Sequence, residues 1–431
     1  MSSNPAALNI HASKAGARGV YGLTFLFGSL ACEFVTRAQT VLPPPPSISV
    51  TPPALQEFRA SQLGESHALE ESSGFSLGTL PFQWGPVNVR PHVLGSYLYS
   101  DGILSSPGQP QSTVSYQFSP GLAFTFGSHW ALDYTPSWSW YSDRNFHSSL
   151  GQSLSLNGWT SYEDWILGLV QGVNITSAPL VQTGTQTDQE SYTTSLSASH
   201  RLNSKVSIDF SLSQDFEFAD QFSSYRQWST MEWVNYQFWP RLDGGLGLGG
   251  GYVNVSTGSD MTFEQLQGRI SWRAADRTSL TVHGGLEDRQ FLSGGVPPLL
   301  NPLYGVAIQY RAGRKTSVSL TVDHAVSASY FQSQAAETTS VGLNIGQSLS
   351  EKLSLSLGVG LTSVSYAASA PGVAAGGSYD YKSVNVRLGY SISKRCSLSG
   401  TYTFSDNASS QTQAGLGFSS NQIGIELGYG F

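Results

Sequence analysis

The chain ends on Ile423-Gly424-Ile425-Glu426-Leu427-Gly428-Tyr429-Gly430-Phe431, where a large apolar side chain alternates with a small or polar one. Successive side chains of a strand point to opposite faces. Ile423, Ile425, Leu427, Tyr429 and Phe431 therefore share an apolar edge, while Gln422, Gly424, Glu426, Gly428 and Gly430 share a polar one. Such a strand suits a wall between lipid and water. A soluble sandwich could end the same way, but the alternation recurs from about residue 86 onward. Val318, Leu320 and Val322 oppose Ser317, Ser319, Thr321 and Asp323; Leu353, Leu355, Leu357, Val359 and Leu361 oppose Ser354, Ser356 and Thr362.

Composition fits a barrel better than a helical membrane protein. Only 12% of residues are charged, 12% are aromatic and 46 are glycine, and mean hydropathy is −0.14. A membrane-crossing helix needs roughly 20 consecutive apolar residues, and no such run is present. A barrel divides each strand between two faces and escapes a hydropathy scan.

Residues 1–38 read as an export signal, with His11, Lys14 and Arg18 before the short apolar stretch Gly19 to Ala31, and Thr36-Arg37-Ala38 as a cleavage site. A competing reading makes Cys32 a lipidated cysteine, although Ser29 stands where Leu is usual. Cleavage after Ala38 leaves Cys396 alone, which removes an intramolecular disulfide and any cysteine-based zinc cluster. The mature chain then has 19 basic against 28 acidic residues. That balance, without a basic patch interleaved with aromatics, argues against a nucleic-acid partner.

Residues 39–85 form a Pro-rich arm or linker, extended by Pro43 to Pro46, Pro52 and Pro53. Within it Ala54 to Glu71 could form a short helix. The arm reads as a loose periplasmic tether, a lumen plug or a partner-binding segment.

Short polar connections recur from 86 to 431 near 127–129, 162–164, 202–205, 240–242, 275–277, 312–315, 350–352 and 393–395, spaced by roughly 35 to 43 residues. Longer segments lie between them, such as Ser177 to Thr187, Phe291 to Asn301 and Ala367 to Ser378. Short periplasmic turns alternating with longer outward loops are the asymmetry of an outer-membrane barrel. Eight turns and nine long connections join 18 strands, an all-β, transmembrane, antiparallel up-and-down barrel. The expected strands are 86–101, 112–126, 129–142, 148–160, 164–177, 188–201, 205–219, 226–239, 243–256, 261–274, 278–290, 301–312, 315–327, 336–349, 353–367, 378–392, 396–406 and 416–431. Trp130, Tyr134, Trp138 and Trp140 share one face of a strand, and Trp272, Tyr310, Tyr390, Tyr402 and Tyr429 fall on outward faces, as interfacial girdles require.

Barrels of 16 to 18 strands leave an aqueous channel. Alternation turns Asp133, Asp209, Asp215, Asp323 and Glu426 inward, with Arg201, Arg269, Arg273, Arg311 and Arg387. These charges either face one another across the lumen as selective rings or form ion pairs that stiffen the wall. Ile425, Leu427, Tyr429 and Phe431 are the expected C-terminal signal for barrel-assembly machinery. Trp159, Trp233 and Trp239 are candidates for an aromatic track or for girdles.

No catalytic constellation emerges. The eight histidines are scattered without metal-ligand spacing, and Asp323-His324 are strand neighbours that point to opposite faces. His283, Glu287 and Arg289 share a face, read as wall structure. Gly244 to Gly251 has no following helix to receive a phosphate, so close packing or a bend explains it better. No enzyme activity, cofactor or metal is expected.

Phe82-Gln83-Trp84-Gly85-Pro86 leading into Val89-Arg90-Pro91-His92, the short Lys/Arg-bearing turns and the closing Asn421-Gln422-Ile423 to Phe431 resemble the beta-barrel porins of type 2. The resemblance covers about residues 80–431 as a style of sequence. It implies an outer-membrane barrel with porin-like or extracellular-polysaccharide duty. The expected function is a passive channel for small hydrophilic solutes, with outer-membrane lipid and the assembly machinery as partners. The alternatives are polysaccharide export or assembly, or a plugged structural or adhesive barrel. Nothing in the sequence fixes the oligomeric state.

Overall fold

A computed structural model describes residues 82–179, 184–293, 295–313, 315–373, 376–410 and 416–431. The signal segment, Cys32 and all of the Pro-rich arm before Phe82 lie outside the described residues.

A three-residue strand, β1 (Phe82–Trp84), precedes eighteen long ones: β2 (Val87–Ser106), β3 (Gln109–Phe126), β4 (Trp130–Tyr141), β5 (Ser149–Tyr162), β6 (Trp165–Pro179), β7 (Gln186–Arg201), β8 (Val206–Ala219), β9 (Tyr225–Trp239), β10 (Leu242–Val255), β11 (Met261–Ala275), β12 (Thr278–Phe291), β13 (Leu299–Ala312), β14 (Thr316–Ala328), β15 (Gln334–Ser348), β16 (Leu353–Ala368), β17 (Ser378–Ser391), β18 (Cys396–Ser409) and β19 (Phe418–Gly430). Each pairs antiparallel with its sequence neighbour, and β19 pairs β2 from Asn421↔Asp101 to Gly430↔His92, closing an 18-strand barrel. Closure leaves no long edge with unpaired backbone groups, which a sheet in lipid requires. β1 pairs Phe82↔Val89 to Trp84↔Val87, so the quoted Phe82 to His92 segment is a hairpin turning at Gly85 beneath the C-terminus.

The alternation fixes which face is which. Ile423, Ile425, Leu427, Tyr429, Trp272, Tyr310, Tyr390 and Tyr402 are exposed on the convex side. On the opposite face Arg269 of β11 reaches Asp209 of β8, three strands away, as side chains converge only on a concave surface. Trp130, Tyr134, Trp138 and Trp140 all pair with outward residues of β3.

Eight connections at one end span two to four residues, and those at the other reach nine. One expected long loop is absent: β2 and β3 continue to Ser106 and Gln109 and turn on Pro107-Gly108 alone. Proline presets φ at the first central turn position and Gly108 supplies φ +73° at the second. Below this tip the wall bulges at Gly102 (φ +80°), where a Cβ would sit 2.0 Å from the Ser419 carbonyl oxygen.

Two parts of the wall bend inward at the long-loop end. The β2–β3 tip leaves β19 beyond Asp101 and β4 before Ser115, reaches β6 and β7, and buries Ile103 and Leu104. Similarly, β14 separates from β13 beyond the pair Tyr304↔His324 while keeping its ladder with β15 to Ala328↔Ala335. The freed end curls over the inner faces of β9 to β12, where Val326, Ala328 and Ala335 pack with Tyr225, Val253, Met261, Phe263 and Phe291.

Candidate functional site: the inner wall

Across β7 to β11, the Asp209 carboxylate accepts from Ser199 Oγ (2.7 Å), Asn235 Nδ2 (2.7 Å) and Arg269 Nη2 (2.7 Å). Arg269 also donates to Asn235 Oδ1 (2.6 Å) and lies 4.2 Å above the Trp233 ring. The glycines of β10 make this possible. Cβ atoms at Gly247 and Gly251 would stand 2.7 Å and 2.4 Å from the Trp233 and Phe263 rings, so the run is a flat floor beneath bulky neighbours.

A second cluster holds the curled end of β14. Glu287 and Arg289, both 2% exposed, pair at 2.7 Å, and Gln265 Nε2 donates to Glu287 Oε2 at 2.6 Å. Arg289 extends Nη2 to the Val326 carbonyl oxygen (2.9 Å) and stacks over Phe263 at 5.0 Å. The β14–β15 connection completes the bridge. Tyr330 OH donates to Glu217 (3.0 Å), Ser223 N–H to the Tyr330 carbonyl (2.9 Å) and Ser369 N–H to the Ser333 carbonyl (2.9 Å). Burial first, and then the Glu217 carboxylate, push the Tyr330 phenol well above its ordinary pKa, so it remains a donor.

The other charge candidates are distributed along the wall. Arg387 pairs with Glu426 at 2.5 Å across β18, and Asp133 accepts from Thr135 Oγ1 (2.8 Å) with His92 Nδ1 at 3.9 Å. Asp215 accepts from Tyr225 OH at 3.3 Å. Asp323 faces His283 across Gly305. Arg201, Arg273 and Arg311 end their strands at the short-turn rim, where Arg273 donates to the Pro240 carbonyl at 3.2 Å. Asp209–Arg269 and Arg387–Glu426 thus bind side chains two or three strands apart on the same stretch of wall; they do not span the lumen.

Asp323 and His324 face opposite ways, with His324 stacked on Tyr304 at 4.8 Å and bonded to Thr339 Oγ1 at 2.8 Å. The three tryptophans form no track: Trp233 is buried under Arg269, while Trp159 and Trp239 lie at the short-turn end. Among the described residues no group of three or more His, Cys, Asp or Glu could hold a metal ion. At the C-terminus, Ile425, Leu427 and Tyr429 face outward; Tyr429 and Phe431 meet edge to face at 4.9 Å, and Phe431 N–H donates to the Pro91 carbonyl (3.0 Å). Sequence reasoning left Glu217 and Tyr330 out altogether. The signals were Asp215-x-Glu217, two acids on one strand face, and an aromatic pair, Tyr330-Phe331, inside a connection.

No family model matches the chain, and no curated protein is similar to it. Solved structures of similar shape include Pseudomonas aeruginosa OccK11 (OpdR), 13% identical with TM-score 0.41 over 82% of this chain and 99% of that one. Pseudomonas aeruginosa OccK2 (OpdF) in complex with glucuronate is 12% identical, TM-score 0.43, over 80% and 98%. The siderophore receptor PirA from Pseudomonas aeruginosa is 11% identical, TM-score 0.38, over 79% and 80%. These are likenesses of shape, shared by differently named proteins, and the barrel assignment stands on this chain's own register.

Proposed function

We propose that the protein is an outer-membrane channel for passive diffusion of small hydrophilic solutes. The observation that carries this reading is a closed 18-strand barrel, apolar outside, whose inner face carries polar and charged groups such as Asp209, Asn235, Arg269, Arg387 and Glu426. Barrels of that size have more interior than their own side chains fill. The curled end of β14 narrows the lumen on the β8–β15 side, and the β2–β3 tip narrows it beside β6 and β7. The wall opposite carries small polar groups such as Ser356, Thr362, Ser399, Thr403 and Ser405. Its short turns face the periplasm and its long loops the exterior, as in other barrels of this class.

The test is single-channel conductance of the purified full chain in planar bilayers, with sugars of graded size as blockers. Steady openings, blocked by sugars up to a defined size, are expected. A folded barrel without conductance would overturn the reading in favour of a plugged structural barrel.

A further inference from the structure

The fold sorts the charges by height in a way the linear sequence conceals. Among the described residues that face inward or lie in connections, those on the long-loop side of the strand midpoints comprise 7 acidic against 2 basic, and those on the short-turn side 8 acidic against 13 basic. Asp215 and Glu217 face inward at the long-loop end, with Asp143, Asp220 and Asp260 in its connections. Arg90, Arg201, Arg273 and Arg311 face inward at the other end, and seven turn cations surround them, among them Lys205 and Arg277. The outward faces at the long-loop end add to the asymmetry, with Asp188, Glu190, Glu264 and Asp288 outward on β7, β11 and β12. Internal pairing does not erase the split. Asp209–Arg269, Arg387–Glu426, Glu287–Arg289 and Arg241–Asp276 each cancel within one half.

We propose that the barrel is a bipolar conductor: its outer half accumulates cations, its periplasmic half accumulates anions, and it passes current preferentially in one direction. This rests on the open-channel reading above. A channel with low-dielectric walls focuses the field of its lining charges and concentrates counter-ions. Here the mobile carriers are cations in one half and anions in the other. A potential positive on the long-loop side drives both carriers toward the middle, where they accumulate and conductance rises. The opposite potential drains both from the middle, and conductance falls. The two zones are separated by on the order of 20 Å along the strands, beyond the Debye length of about 10 Å at 0.1 M salt and far beyond about 3 Å at 1 M. The two zones therefore act separately at low salt and vanish at high salt.

The test is the current–voltage curve of single channels of the full chain, at 0.1 M and 1 M KCl. The expected result is about twofold or greater rectification at 0.1 M that disappears at 1 M, as screening dictates. A straight, symmetric curve at 0.1 M from a conducting channel overturns the bipolar assignment and leaves the pore intact; no conductance at all overturns the pore reading itself. Neutralising the turn cations Lys205, Arg241, Arg277, Lys315, Lys352, Lys394 and Arg395 to Gln should abolish most of the rectification and shift the reversal potential in a salt gradient toward cation preference. Rectification unchanged in that variant would also overturn the proposal. Should it fail to fold, the triple variant Glu217→Gln, Asp220→Asn, Asp260→Asn tests the other end, with a shift toward anion preference expected and an unchanged reversal potential counting against the proposal.

Discussion

The arc from β8 to β15 and the arc from β16 through β19 to β5 belong to one closed sheet with one alternation, yet they solve the inner face differently. The second arc presents small polar groups, such as Ser356, Thr362, Ser399 and Thr403, over most of its height, and gathers its bulky inward residues, Val364, Tyr366, Tyr379 and Tyr381, in a cluster at the long-loop end. The first presents Trp233, Phe263, Met261, Arg269 and Arg289, too large to stand free, and fills the space with ion pairs and the curled end of β14. Flat glycine positions on β10 allow that crowding. One arc keeps its packing to uncharged clusters at the long-loop end, around Ile103 and Leu104 and around Tyr366 and Tyr379; the other carries a small folded core tied by the buried Arg269 and Arg289 ion pairs.

The sharpest way to break that contrast is Arg289→Ala. It strands Glu287 as a buried, unpaired carboxylate and removes the donor that holds the Val326 carbonyl. Breaking one partner of a buried pair costs about 3–5 kcal/mol. The expected outcome is a barrel that unfolds at lower urea or lower temperature, with larger, noisier conductance as the β14 end loosens. Thr403→Ala in the other arc removes one bond to Asn385 and should cost about 1 kcal/mol or less. Equal losses from the two substitutions would show that the arcs do not differ energetically. Asp209→Ala should fall between them, since Arg269 keeps Asn235 and Trp233 as neighbours.

The difference between the arcs also explains what the sequence made legible. Period-two alternation marks a strand wherever one face meets lipid, so all eighteen barrel strands were readable, most with ends within a few residues. The β2–β3 tip was not, because Ser105 to Gln111 is polar enough to pass for a loop; only Pro107-Gly108 signalled a tight turn. β1 is too short for any period to register. The inward direction of the charges was readable from alternation, but their partners were not. Asp209 and Arg269 lie 60 residues apart and meet only because the sheet curves. The curl of β14 depends on a break in the β13–β14 ladder, whose only trace in the sequence is the cluster of small apolar residues Ala325, Ala328, Ala335 and Ala336.

A weaker probe of the same contrast is Tyr330→Phe, which removes the hydroxyl bonded to buried Glu217 while keeping the ring in place. Leaving that acceptor short of one partner should cost about 1–3 kcal/mol. The change should raise open-channel noise and hydrogen exchange in residues 329–333, with the β16–β19 ladders unaffected. If exchange rises equally in both arcs, the β14–β15 connection is not a separate unit.

The outer surface carries its own exception on the crowded side. Glu232 faces outward at the midpoint of β9, flanked on neighbouring strands by exposed Phe210 and Leu248. A carboxylate at that depth is unfavourable, though by less than the roughly 2–4 kcal/mol of an Arg. Glu232→Leu should therefore stabilise the barrel by about 1 kcal/mol in urea unfolding from lipid vesicles. Destabilisation would mean that the carboxylate is held by a partner in the assembled membrane.

The smallest expected effect concerns pH at the crowded end, where the Asp260 carboxylate anchors the β10–β11 connection. Partial burial alone would raise its pKa. Bonds from Tyr252 OH (2.7 Å), the Val255 N–H (3.0 Å) and Asn254 Nδ2 (3.0 Å) outweigh burial and hold the group below its ordinary value of 3.8. A carboxyl whose folded pKa is depressed adds stability that is complete above the unfolded value and lost as pH falls through the folded one. Local order at 256–260 should thus be constant from pH 7 to about 5 and decline only below pH 4, measured by amide exchange or by fluorescence of nearby Trp228. Asp260→Asn should flatten that acid dependence without altering the Glu287–Arg289 core. Acid loosening that persists in the variant would transfer the sensitivity to the inward carboxylates, and with it the stability of the crowded arc as a whole.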